Sequence, residues 1–173
     1  MLEVNIRQRP LGGQPRPHSL PRRRTDAFAA LGAGLLAGAV TLTLTQVFAV
    51  AVYDESFWRL FRMVAAMVRG PAVLEPDDEF DAAIVAIGAT LYLALSLLYA
   101  LALSCLVADT PRRYAIVMGL AFGLALYYAN FYGFTAIFPW FAPHRTVDTL
   151  IVHAIFGVIA ARSYWTFHRL SLR

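Results

Sequence analysis

Lysine is absent from this 173-residue chain, cysteine occurs once, and charged residues make up only 15% of it. Soluble domains carry nearer ~25% charge. With 59% hydrophobic residues and a mean hydropathy of +0.58, the chain falls in the membrane class, and its polar residues collect in one tail and short loops. The single Cys105 stands in an apolar run. It excludes an internal disulfide or a multi-cysteine metal site and reads as a small packing residue. All fifteen basic side chains are arginine. That preference suits phosphates and anionic headgroups, but a GC-rich coding composition produces the same bias and is the simpler explanation.

Catalytic signatures are missing as well. The sequence holds no phosphate loop, dinucleotide fingerprint, His-Glu-x-x-His helix or Gly-x-Ser-x-Gly elbow, so no residue is assigned a catalytic or metal-binding role and no cofactor is implied. A haem held by two histidines needs imidazoles facing each other across a bundle. His18 lies in a basic arm and His144 in a loop, while His168 is fifteen residues from His153, ~22 Å along an ideal helix. The acidic run Glu75, Asp77, Asp78, Glu79 and Asp81 lacks the alternating carboxylates and central glycine of a calcium loop; it reads as a solvated link that caps the next helix.

What is present is four long apolar runs. About 20 residues at 1.5 Å each cross a ~30 Å hydrocarbon core, and segments at 27–53, 82–107, 114–138 and 147–167 meet that length. The first follows basic residues, as a signal peptide would, but signal-peptide apolar cores are only roughly 7–15 residues long. Residues 1–25 hold Pro10, Pro15, Pro17, Pro21, Gly12-Gly13 and six arginines, the composition of a disordered arm. Its Arg22-Arg23-Arg24 cluster, next to a span, is an orientation signal and a contact for anionic lipid headgroups rather than for nucleic acid. Between the first two spans, Leu60, Phe61, Met63, Val64, Met67 and Val68 share one helical face and Arg59, Arg62 and Arg69 the other, which predicts a short amphipathic helix on the membrane surface, ended by Gly70-Pro71.

The expected fold is therefore an all-α, integral-membrane four-helix bundle, up-down-up-down, with one surface helix. The arm, the central turn and the C-terminal end hold eleven arginines and three acids, against four arginines and eight acids in the other two loops. This asymmetry predicts cytoplasmic termini. Small residues at four-residue spacing, Gly34 and Gly38, Gly119 and Gly123, and Gly157 and Ala161, predict close helix packing.

Polar residues inside the spans carry the functional hint. Gln46, Thr90, Asn130 and His153 fall at similar depth in the outer half of the bundle by the 1.5 Å rise, with Tyr128 and Tyr132 as an aromatic wall. Two readings follow. One is a pocket open to the outside that holds a small amphiphile or a quinone-like ring; the other is interhelical hydrogen-bond glue, worth ~0.6 kcal/mol per contact. Asp148, ~140° around the helix from His153, is poorly placed to partner it.

The segments Phe61-Arg62-Met63 with Gly70-Pro71, Asn130-Phe131-Tyr132, Phe138-Pro139-Trp140-Phe141 and the later His153 resemble small four-span bacterial inner-membrane proteins of the YagU-like kind. That resemblance implies an inner-membrane location and brings no activity. The resulting expectation is a non-enzymatic structural or accessory membrane component, alone, as a homo-oligomer or within a larger membrane complex. A small transporter or channel, and a quinone-binding subunit of a membrane enzyme, are the alternatives.

Overall fold

A computed structural model describes residues 26–171; the basic arm at 1–25, with its arginine cluster, and the terminal Arg173 lie outside the described residues. The structure is all-α. Five helices follow one another: α1 (Ala27–Val52), α2 (Arg59–Arg69), α3 (Ala82–Val107), α4 (Arg112–Tyr128) and α5 (Val147–Ser171). Four helical segments are long and apolar enough to cross a membrane: Ala27–Val52, Ala82–Val107, Arg112–Ala136 and Val147–Leu170. The chain is a multi-pass membrane protein.

Local chemistry explains where the helices start. The Asp26 carboxylate accepts from the Ala29 amide at 3.0 Å, and Asp81 Oδ1 accepts from Ala83 and Ile84 at 2.9 and 3.1 Å. Each carboxylate satisfies first-turn amides that have no partner inside the helix. Pro111 precedes α4, whose first turn needs no donor from it. The spans carry large apolar side chains on their outward faces, among them Leu35, Leu36, Leu93, Leu98, Val117 and Leu120. The interior face of α1 is built from small residues instead: Ala29, Ala30, Ala33 and Ala37 are almost fully buried. This is the arrangement expected where lipid replaces water outside and close backbone approach replaces bulky core packing inside.

The helices alternate in direction. Asp26 at the start of α1 lies beside Tyr164 and His168 near the end of α5, while Tyr53, past the end of α1, reaches Asp148 at the start of α5. Gly34 and Gly38 of α1 rest on Ala100 and Ser96 of α3, Gly119 of α4 rests on Gly157 and Ala161 of α5, and Gly123 rests on the backbone of His153 and Ala154. A Cβ at Gly119, Gly123 or Gly157 would overlap the facing backbone. α5 packs along both α1 and α4, and α1 along α3; α3 and α4, although consecutive, meet over only a few residues. That separation leaves space in the half of the bundle that ends at Trp140.

α2 departs from its expected setting. Phe61, Arg62, Met63, Val64, Ala65 and Ala66 are all buried, six consecutive residues that cover every side of a helix. Gly88 of α3 lies directly against the Phe61 carbonyl, so α2 packs closely into α3 along this side. Arg62, expected on the solvated face, is only 4% exposed. Its guanidinium donates to the Val73 carbonyl at 3.0 Å and the Glu79 carbonyl at 2.6 Å, folding the acidic link back over the helix. The periodicity was that of an amphipathic helix, but the link's unpaired carbonyls drew one arginine inward.

Candidate functional site

Beneath α2, in the half of the bundle towards Trp140, lies a cavity of about 280 Å³, close to the lower end of small-molecule sites at ~300–1,000 Å³. All five helices contribute to its wall. The roof is formed by α2, through Met63, Val64 and Met67, and by the 3₁₀ turn Pro139–His144. Trp140 Nε1 donates to the Met63 carbonyl at 3.0 Å and so joins the two parts.

One wall carries a hydrogen-bonded chain. Tyr99 of α3 donates to Asn130 Oδ1 at 2.9 Å, and Asn130 Nδ2 lies 3.4 Å from His153 Nε2. His153 Nδ1 lies 2.8 Å from the Thr149 carbonyl. A carbonyl can only accept, so Nδ1 carries the proton, and Nε2 is left to accept from the Asn130 amide; the imidazole is held in one tautomer. Tyr127 and Phe131 enclose it, with ring centroids 6.0 and 5.4 Å from its own.

Asn130 reaches this position because α4 widens into a π-turn at Ala129–Gly133 and then tightens into 3₁₀ at Phe134–Ala136. An inserted π-turn rotates the following side chains out of α-helical register, which is why such turns often accompany functional sites. Arg145 completes the end of the span. It donates to the Phe131 carbonyl and to Thr135 Oγ1 at 2.6 and 2.7 Å, and lies 4.6 Å from the Tyr132 ring centre.

A second polar group stands two turns away on the same face of α3. Tyr92 OH donates to the Gly38 carbonyl at 3.3 Å and lies 3.0 Å from Thr41 Oγ1. The mouth is charged. Tyr53 donates to Asp148 at 2.6 Å, Arg59 faces Glu55 at 3.8 Å and also bonds Asp77, and His144 lies among them. Burial pushes the His144 imidazole below its ordinary range, with Arg59 acting the same way and Glu55 and Asp148 opposing. Its Nε2 is buried without a partner.

Of the sequence-derived pocket residues, the structure brings Asn130 and His153 together and leaves four outside. Gln46 is buried but lies off the cavity, its Nε2 donating to the Phe57 carbonyl at 2.7 Å; it ties the end of α1 to the start of α2. Thr90 is exposed. Tyr128 and Tyr132, 56% and 52% exposed, face outward, because the π-turn directs Asn130 and Phe131 inward in their place. Depth along the helix placed Gln46, Thr90, Asn130 and His153 at one level; rotation about the axis separated them. Tyr92, Ser96 and Tyr99 went unrecognised, although their spacing of i, i+4 and i+7 puts them on one face of α3. Glu55, Arg59 and His144 carried no such signal, since only the roof gathers them. Among the described residues, no three His, Cys, Asp or Glu side chains gather as a metal site.

No protein-family model, curated protein or solved structure matches this chain.

Proposed function

We propose that this protein is a non-enzymatic component of the bacterial inner membrane that holds a small amphiphile in an outward-facing cavity between its spans. The observation that carries this reading is the roofed cavity itself, apolar over most of its wall and bearing the Tyr99–Asn130–His153 chain. Polar groups inside a membrane domain are costly and mark functional positions, and a mostly apolar site with a few convergent polar groups is the usual form of a small-molecule site. The arginine asymmetry of the loops supports cytoplasmic termini, which sets the cavity on the outer side. The bundle at the Asp26 end is filled by Leu103, Val107, Ala160 and Tyr164, which argues against a transporter or channel with a continuous path.

The test is native purification in a mild detergent, followed by mass spectrometry of the small molecules extracted from the protein. Wild type retains an amphiphile, and His153→Ala loses it while keeping its fold. Equal retention by His153→Leu, at unchanged stability, overturns the reading.

A further inference from the structure

We propose that the cavity selects amphiphilic cations: an ammonium or similar organic cation seated against Asp148 and Glu55, with its apolar body inside. The inference rests on the reading of the cavity as an amphiphile site and adds the chemical class of the occupant.

Hydrogen-bond capacity is the first argument. The donors that line the cavity are largely committed to the protein. Tyr99 donates to Asn130, Tyr53 to Asp148, Tyr92 to the Gly38 carbonyl and Thr41 to the Ala37 carbonyl. His153 is used at both ring nitrogens. Arg59 sits between Glu55 and Asp77, so its positive charge is already shared by two carboxylates. A neutral carbonyl ligand such as a quinone would find few donors free, the buried nitrogens of the lining without a hydrogen bond being His144 Nε2 and Arg59 Nε at the charged mouth. What remains over is acceptor capacity, since a carboxylate offers about four lone-pair positions and Asp148 receives a single bond from a neutral phenol.

Charge is the second argument. The ionised groups lining the mouth are Glu55, Asp148 and Arg59, with Asp77 drawing on Arg59 from outside the cavity. His144 adds no positive charge near neutrality, because burial lowers its proton affinity. Arg145, the remaining nearby cation, is turned onto Phe131, Thr135 and the Tyr132 ring. The bond from Tyr53 to Asp148 holds the phenol above its ordinary range, with the nearby charges of Asp148 and Glu55 acting the same way. The third argument is the lining itself. Phe134, Phe138 and Phe141 line the same cavity, and aromatic faces attract cations that have shed water.

The experiment uses the purified full chain in a maltoside detergent and three probes with the same tail: decyltrimethylammonium, decanol and decanoate. Binding is read from the shift in thermal unfolding as each probe is titrated. The cation should bind about tenfold more tightly than decanol, equivalent to ~1.4 kcal/mol, with decanoate weakest. Asp148→Asn, which keeps an acceptor for the Tyr53 hydroxyl, should remove most of that preference, and addition of Glu55→Gln the rest, the preference being read as the ratio of cation to decanol binding within each variant. Equal binding of cation and alcohol by wild type, or tightest binding of decanoate, overturns the cation proposal and leaves the amphiphile cavity standing. Failure of all three probes to bind overturns both.

Discussion

Gly123 of α4 lies directly under the backbone carbonyl of His153 on α5, so close that a Cβ at position 123 would overlap it. The same approach repeats one turn away, where Gly119 and Gly157 face each other backbone to backbone. These contacts fix the separation of α4 and α5, and therefore hold Asn130 within reach of His153.

Gly123→Ala should consequently act on both stability and the cavity. Overpacking a close contact costs about 1–3 kcal/mol, which should appear as a lower unfolding temperature in detergent together with loss of the retained small molecule. Gly133→Ala, where an added Cβ meets nothing within 4 Å, is the matched control and should leave both unchanged. Equal behaviour of the two variants would show that the α4–α5 contact does not position the site.

Arg62 offers a test of the roof. Its guanidinium serves two carbonyls of the acidic link at once, a geometry that the point charge of a lysine does not reproduce. Hydrogen bonds from charged groups contribute ~1.5–3 kcal/mol, so both Arg62→Lys and Arg62→Met should release the link. Limited proteolysis within residues 70–81 should then be faster, with the four spans still inserted. Unchanged protection would mean that the packing of α2 on α3 holds the link without the arginine.

Orientation can be read with cysteines in a Cys105→Ala background, a change at an exposed side chain. Arginine placement predicts that a cysteine at Pro76 reacts with an impermeant maleimide added to intact cells and that one at Thr110 does not. The reverse pattern would turn the cavity towards the cytoplasm.

His144 should make the roof sensitive to acid. Its folded-state proton affinity is lowered, mainly by burial, so the neutral form stabilises the folded mouth. That contribution is fully present above the unfolded histidine value of ~6.5 and is lost as pH falls below it, because the open state then takes up the proton more readily. The charges facing the ring are Glu55, Arg59 and Asp148, and the two carboxylates soften the effect without reversing it. The protection of the amides across Pro139–His144, taken relative to the intrinsic exchange rate at each pH, should therefore fall between pH 7.5 and pH 5, and His144→Gln should flatten that dependence. Protection that rises as the pH falls would contradict the sign.

Apolar runs of membrane-spanning length are a property of the sequence alone, because hydrocarbon requires each span to satisfy its own backbone and so ties length directly to structure. For the same reason Asp81 was legible as a cap and Gly119 and Gly157 as points of close approach, since both are local patterns on a single helix. The candidate site was legible only in depth. Asn130 and His153 lay at one level, but so did Thr90 and Gln46, and nothing in the sequence announced that a π-turn would rotate Asn130 and Phe131 inward and leave Tyr128 and Tyr132 outside. The roof was less legible still. α2 has the pattern of a surface helix, and only the approach of Gly88 to Phe61 and the two link carbonyls that receive Arg62 turn it into a buried cover. Helix length and capping follow from the chain's own neighbours, whereas rotation about a helix axis and the closure of a loop depend on contacts between residues far apart in sequence. Those contacts exist only once the bundle has formed.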